Sequence, residues 1–262
     1  MKIATWNINS VRLRLPLVER LITEAAPDIL CLQETKTPDE FFPAEAFEAL
    51  GYGHRLIHGM KGYNGVAILS RMPVVEVETR SWCDRADCRH GIVRLAGGIE
   101  LHNLYIPAGG DEPDPETNEK FAHKLAFLDE LIAWITERRG SMILVGDLNI
   151  APLEHDVWSH KQLLDVVSHT PIEVEKLGRL QAAGGFVDAV RHFFPADQKL
   201  YSWWSYRAKD WSAADKGRRL DHIWVTPDLV PALESATILR AARGWERGSD
   251  HAPVIVDLRI SP

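Results

Sequence analysis

Met142–Pro152, MILVGDLNIAP, is the stretch that decides how this chain is read. Met142 to Val145 is a short, wholly apolar run, the pattern of a strand buried on both faces. Gly146 lets the backbone approach a neighbour closely. Asp147 and Asn149 follow at alternate positions, and on extended backbone alternate side chains point the same way. A carboxylate and a carboxamide therefore leave the C-terminal end of a buried strand together, where open α/β sheets tend to bind ligands. Pro152 ends the pairing and opens a loop. Alone, this is equally a strand that ends in a polar turn; recurrence of the same geometry at other strand ends moves the balance toward a site.

Upstream, Thr117–Arg139 is a clear helix, its stripe Phe121, Leu125, Leu128, Leu131, Ile132 and Ile135 ending at Gly140. Nearer the N-terminus, Ile3–Asn9 alternates as a strand and delivers Asn7 and Asn9 to one side. Val11–Ala26 has helical spacing, and Ile29–Leu32 is a second buried strand followed by Gln33, Glu34, Thr35 and Lys36. Strand, helix, strand implies a layered α/β protein. Phe41–Leu50 reads as a short helix, and His54–His58 with Gly65–Ser70 as a hairpin. Val74–Val77, Gly91–Leu95 and Ile99–Ile106 are further strands, the last two turning at Gly97–Gly98, which points to antiparallel pairing within a mixed sheet. Tyr105 closes this run ahead of the Gly-, Pro- and acid-rich loop Ala108–Glu116. Downstream, Val187–Phe194 reads as helix and Tyr201–Arg207, YSWWSYR, as an aromatic segment whose alternation sends Trp203 and Trp204 to opposite sides. Asp221–Thr226 and Ala252–Leu258 are late strands, the second preceded by Gly248, Ser249, Asp250 and His251. No repeat or linker divides residues 1–262, so a single domain is expected.

The chain has 262 residues, 45% hydrophobic and 26% charged, which allows a large core. No apolar run reaches membrane-span length. Three cysteines, an odd number, argue against a disulfide framework and suit a reducing cytoplasm. Cys83, Cys88 and His90 resemble half of a zinc site, but the second ligand pair is missing. A net charge of -7 argues against a polyanionic partner. Yet carboxylates that hold Mg²⁺ make a chain acidic while the site itself attracts phosphate. Arg207, Lys209, Lys216, Arg218 and Arg219 clump together, either as a solvated surface or as a phosphate-binding one.

The polar residues at the strand ends are Asn7, Asn9, Glu34, Tyr105, Asp147, Asn149, Asp221, Asp250 and His251. If the strands lie side by side, these gather on one rim as oxygen donors plus one imidazole, a set suited to Mg²⁺ or Mn²⁺. Glu34 is the leading metal carboxylate. Phosphodiester hydrolysis assigns Asp147 as the base that activates water, and His251, Asn149 and Tyr105 as partners of the developing phosphate charge. A carboxylate beside His251 would keep its ring protonated, and Asp221 is the candidate. Singly, each has a structural explanation: His251 as a hydrogen-bonded strand residue, Asp221 as a turn or cap.

Five motifs occur in order: WNIN at Trp6–Asn9, LQETK at Leu32–Lys36, GDLNIAP at Gly146–Pro152, RRLDHI at Arg218–Ile223 and SDHAPV at Ser249–Val254. Together they resemble the exonuclease III family, the abasic-site endonuclease branch of the endonuclease/exonuclease/phosphatase superfamily, over nearly the whole chain. GDLN and SDHAP specify only the superfamily; LQETK, YSWWSYR and RRLDHI narrow it to the DNA-repair branch. The resemblance implies an α/β four-layer αββα sandwich of two mixed sheets flanked by helices. It implies a Mg²⁺-dependent monomeric enzyme that cuts duplex DNA on the 5′ side of abasic sites, removes nucleotides from 3′ ends and clears blocked 3′ termini. By the same resemblance, Glu34 holds the metal with Asn9, Asp250, Asp147 and Asn149 nearby, and Asn7 orients Asp147. Tyr105 and Asn149 grip phosphate, and His251 acts with Asp221. Trp203 and Leu220 line the slot for a flipped-out sugar, while Lys36, Arg207, Arg218 and Arg219 meet the DNA. Three positions depart from relatives. Ala108 stands where some carry an amide, Ser205 where some carry Asp, and Arg218 where others carry an apolar or aromatic residue. Two other functions compete: a phosphatase of small phosphorylated molecules or lipids, against which the aromatic segment and basic clump speak, and a catalytically inert DNA-binding module, against which intact Glu34, Asp147 and His251 speak.

Overall fold

The structure, a computed structural model, describes residues 1–95 and 97–260. In chain order the strands are β1 (Lys2–Asn7), β2 (Ile29–Gln33), β3 (His54–His58), β4 (Val66–Ser70), β5 (Val74–Trp82), β6 (Arg85–Leu95), β7 (Glu100–Tyr105), β8 (Met142–Asp147), β9 (Val187–Asp188), β10 (Trp203–Trp204), β11 (Gly217–Arg218), β12 (Asp221–Val225), β13 (Leu233–Ile238) and β14 (Val254–Leu258). The helices are α1 (Val11–Ala25), α2 (Ala44–Ala49), α3 (Glu119–Glu137), α4 (His160–Leu163), α5 (Pro171–Ala183) and α6 (Trp211–Ala214). Two six-stranded sheets form, ordered β13-β14-β1-β2-β4-β3 and β5-β6-β7-β8-β12-β9, and β10 pairs with β11 as a separate ribbon. β1 runs parallel to β2, and β7 to β8, whereas β14 against β1 and β12 against β8 are antiparallel.

Period-two alternation sorts the strand side chains onto two faces. Ile3, Ile29, Cys31, Ile143, Val145, Ile223 and Val254 point into one cluster between the sheets. Ala4, Trp6, Leu30 and Leu32 turn the other way, against Val18, Leu21 and Ile22 of α1. From the second sheet, Leu104, Leu144 and Trp224 turn outward against Phe127, Leu128 and Leu131 of α3 and Leu177 and Leu180 of α5. Each Val, Leu, Ile or Phe among them contributes about 1.5–3 kcal/mol on burial. The result is helix, sheet, sheet, helix, the four-layer α/β sandwich expected from the sequence. Among the described residues no helix is long and apolar enough to cross a membrane.

Gly146 sits at φ 141°, and a Cβ there would lie 1.9 Å from the Leu104 carbonyl oxygen. β8 packs on β7 at this point only because the side chain is absent. The inter-sheet core is not wholly apolar. Gln33 Nε2 donates to Thr5 Oγ1 at 2.9 Å and to Asn103 Oδ1 at 2.6 Å. Asn103, on β7, donates through Nδ2 to the carbonyls of Leu32 and Ala67 in the opposite sheet, at 3.0 and 2.9 Å. These buried amides clamp one sheet to the other.

Two expectations are corrected. Val187–Phe194 is not a helix: Val187 and Asp188 pair with β12, and the Asp188 carboxylate, accepting from the amides of Val190 and Arg191 at 3.0 Å, caps only a short helical-type turn that Pro195 ends. β5 and β6 reach well beyond Val77 and start well before Gly91, because Cys83 and Asp84 make a tight turn at φ 54° and 52°. The added length is mostly polar in sequence, so it lacks the apolar rhythm that marks a strand, although Trp82, Cys88 and His90 are buried.

Candidate active site

On one rim, the inner face of each strand changes from apolar to polar. Ile3 and Thr5 lead to Asn7, Leu101 and Asn103 to Tyr105, Ile143 and Val145 to Asp147, and Val225 and Ile223 to Asp221. The strand period that fills the core thus delivers one last row of functional groups to its edge. Tyr105, Asp147 and Asp221 are direct register partners across β7, β8 and β12.

Three side-chain hydrogen bonds join the sheets here. Asn7 Nδ2 donates to Asp147 Oδ2 at 2.9 Å, and also to Glu34 Oε1 at 2.9 Å in its own sheet. Tyr105 Oη donates to the same Glu34 oxygen at 2.9 Å. His251 Nδ1 donates to Asp221 Oδ2 at 2.8 Å. His251 Nε2 stands 3.7 Å from Asp147 Oδ2, too long for a hydrogen bond but a strong charge contact in a buried site.

The electrostatics follow from burial opposed by these partners. Burial pushes Asp147 up to about 7, against the charge of His251 and the Asn7 hydrogen bond. Burial alone would push His251 down, but Asp221 and Asp147 together raise it to about 10, so the ring is an imidazolium at neutral pH. Burial, reinforced by the charges of Glu34 and Asp147, holds Tyr105 well above the usual phenol range. Burial works to raise Glu34 and Asp250, but Asn7 and Lys36 keep the first below the ordinary carboxylate value, and His251, Trp203 and Asn9 the second.

Asp147, Asp221 and His251 bring ligand-type atoms within 4.8 Å of one another. A ring protonated on both nitrogens has no lone pair for a metal, so this trio acts as an ion-pair cluster. The donors suited to a hard cation are beside it. Lys36 Nζ lies 2.7 Å from Glu34 Oε2 and 2.7 Å from Asn9 Oδ1, and Asn9 Nδ2 donates to Asp250 Oδ1 at 3.2 Å. An ammonium already sits on two of these oxygens, and the all-oxygen set fits Mg²⁺ or Mn²⁺. Asn9, Glu34, Lys36 and Asn149 all have positive φ, between 49° and 54°. Each costs about 1–3 kcal/mol of backbone strain, concentrated where the functional groups must converge.

These residues face a cleft of about 730 Å³. Asn149 lies at its edge, its backbone N–H on Asp147 Oδ1 and its Nδ2 on the Ile106 carbonyl. Trp203 and Leu220 line the cleft, and the Trp203 indole donates to Asp250 at 2.9 Å. Arg207 is exposed at the mouth and Arg218 half-buried inside. Arg219 is a correction. It is 1% exposed and bonded to Asp156 and Asp188, so it braces the fold and cannot reach a ligand in the cleft.

Sequence reasoning missed several supports. Ser202 Oγ donates to Asp221 at 2.6 Å and accepts from the amides of Leu220 and Asp221. Buried Lys124 donates to the carbonyls of Asn149 and Ala108 and pairs with buried Glu173, which also caps α5 through Thr170. Ser202 lies within YSWWSYR, where alternation puts it opposite Trp203; Lys124 sits on the buried side of α3, a rare place for lysine.

Two packed mixed sheets with a charged amide–acid–imidazole cluster on their shared rim define the class, and the family model described as Endonuclease/Exonuclease/phosphatase family matches residues 4–251. Exodeoxyribonuclease III of Haemophilus influenzae is 31% identical over 99% of this chain and 100% of its own length. An AP endonuclease from Archaeoglobus fulgidus superposes with a TM-score of 0.91 at 32% identity, covering 99% of this chain and 100% of that one. A 3′ phosphatase from Neisseria bound to a product DNA hairpin gives 0.90 at 32% identity, covering 98% and 99%. The chain belongs to the Endonuclease/Exonuclease/phosphatase family, as an enzyme of its exodeoxyribonuclease III and AP endonuclease group.

Proposed function

We propose that this protein is a Mg²⁺-dependent DNA-repair phosphodiesterase, acting on duplex DNA 5′ to abasic sites and at 3′ ends, where it removes nucleotides and blocking groups. The observation that carries this reading is the Asn7 amide, bonded at once to Glu34 and Asp147 at 2.9 Å, with the His251 imidazolium 3.7 Å from Asp147. A metal carboxylate, a water-activating carboxylate and a cation for phosphate oxygens are held together.

Glu34, Asn9 and Asp250 would hold the metal; when bound, Mg²⁺ supplies positive charge to phosphate oxygens. Asp147, with a pKa near neutrality, orients a water and takes its proton. Its second-oxygen contact, the Asn149 N–H, fixes the plane of the carboxylate. His251 keeps its Nδ1 proton on Asp221 and turns Nε2–H toward the cleft, where it stabilises charge as the phosphorus becomes five-coordinate. The raised Tyr105 pKa keeps the phenol protonated, so Tyr105 is a hydrogen-bond donor to oxygen and not a base. Trp203 and Leu220 form an apolar wall suited to a sugar without its base.

The test uses an end-labelled duplex with one tetrahydrofuran abasic analogue. Cleavage 5′ to the analogue with Mg²⁺ and none with chelator is the expected result. Intact duplex under both conditions overturns the reading.

A further inference from the structure

Two adjacent arginines, Arg218 and Arg219, have opposite fates. Arg219 is neutralised by two carboxylates. Arg218 makes its hydrogen bonds to neutral oxygens, the Val167 carbonyl at 2.8 Å and Ser168 Oγ at 2.7 Å. Its Nε is buried and has no partner among the described residues. The acid that acts on it from a distance, Glu173, is already paired with Lys124. The guanidinium lies over the Trp203 ring, 5.3 Å from its centroid, and lines the cleft with Leu220, Asp147 and His251. A half-buried cation without a counter-charge is costly, and an anion that enters the cleft relieves that cost.

We propose that Arg218 is a specificity residue that recognises an anionic group on a DNA 3′ terminus, a phosphate monoester above all, in preference to the uncharged sugar of an abasic site. This rests on the function proposed above. The slot receives whatever the scissile phosphorus carries on its far side. In an abasic site that is a neutral sugar ring, which gains nothing from a guanidinium. A terminal monoester carries a further oxygen charge there, and the Arg218 guanidinium, bonded only to neutral oxygens, lines the cleft that receives it. Hydrolysis needs no further reactant. Water oxygen bonds to phosphorus, its proton passes to Asp147, and the P–O3′ bond breaks with its electron pair on O3′, which takes a proton from solvent to leave a 3′-hydroxyl and inorganic phosphate.

The experiment measures binding of fluorescent DNA hairpins ending in 3′-phosphate or 3′-hydroxyl, in chelator so that nothing turns over. It is paired with the ratio of kcat/KM on 3′-phosphate to kcat/KM on the tetrahydrofuran duplex, in Mg²⁺. The wild-type protein is expected to bind the 3′-phosphate at least about tenfold tighter, the scale of one charge-assisted contact. Arg218→Gln, which keeps a donor for Val167 and Ser168 but not the charge, should abolish that preference and lower the kcat/KM ratio about tenfold; Arg218→Lys should keep part of both. Equal binding of the two hairpins by the wild type, or a preference unchanged in Arg218→Gln, overturns the proposal. Circular dichroism of each variant identifies a misfolded one, and the wild-type binding preference alone then decides. A wild type that prefers 3′-phosphate yet cleaves neither substrate overturns the proposed enzymatic function and leaves the Arg218 assignment standing.

Discussion

Replacing Asp221 with asparagine isolates what holds His251 in its charged form. His251 lies at about 10 instead of 6.5. At about 1.4 kcal/mol per pH unit, that rise represents about 5 kcal/mol of net preference for the imidazolium. Two carboxylates supply most of it, Asp221 at 2.8 Å and Asp147 at 3.7 Å. With an effective dielectric of about 20, Coulomb's law gives about 6 kcal/mol for the nearer and about 4.5 kcal/mol for the farther. Asp221 is therefore the larger of two attractions that sum to about 10 kcal/mol, and the opposing desolvation of about 5 kcal/mol is unchanged by an isosteric amide. Asp221→Asn should lower the titration of the ring by about four pH units, to the ordinary imidazole value or below it. The amide oxygen still accepts from Ser202, so packing is retained. The sign is fixed by the raised pKa: the stability this group adds is complete below 6.5 and lost as pH rises through about 10. Any activity that needs the imidazolium falls in the same direction. The assay is an NMR titration of the imidazole in chelator, on wild type and variant. A wild-type ring that titrates near 6.5, or a variant that titrates with the wild type, refutes the ion-pair reading of the cluster.

Asn7→Asp puts a third carboxylate between Glu34 and Asp147, which raises Asp147 further; kcat/KM at pH 7 should fall at least about tenfold and recover in part at pH 9. A uniform loss across the pH profile would count against Asn7 acting through Asp147. Lys124→Met strands Glu173 as a buried, unpaired charge; it should cost about 3–5 kcal/mol in denaturant unfolding, with Lys124→Met/Glu173→Gln recovering much of it. Arg207→Ala should lower the slope of log binding constant against log salt by about 1, as loss of one phosphate contact does. Arg219→Met should instead destabilise the fold by about 3 kcal/mol or more, since it strips buried Asp188 of its guanidinium and leaves Asp156 with Arg191 alone. Its unfolding curve and its salt slope separate the two arginines.

The rim was legible because polar residues follow apolar strands at alternate positions, and strand geometry fixes where such residues point. Asn7, Tyr105 and Asp147 could be placed from that rule alone. The difference between Arg218 and Arg219 could not. They are identical in type and adjacent, and the outcome is set by Asp156 and Asp188, which lie 63 and 31 residues away in sequence. The same limit hid the amide clamp, since Gln33 meets Asn103 across 70 residues. Val187–Phe194 misled for a local reason: its apolar spacing suits a helix, but Val187 and Asp188 are held in the sheet by β12, and the helical-type turn that Asp188 caps has only six residues before Pro195 stops it.

Gln33 directly precedes Glu34 and lies beside Asn7 in register, Asn103 stands two residues before Tyr105, and their bonds span the same seam between the sheets as those of the rim. Through these bonds the rim is tied directly to the packed body of the molecule. On heating, the enzyme should therefore hold its full turnover until the sandwich itself gives way, with inactivation and melting superimposed on one curve. A chain with its machinery on a loose flap would fade first and melt later.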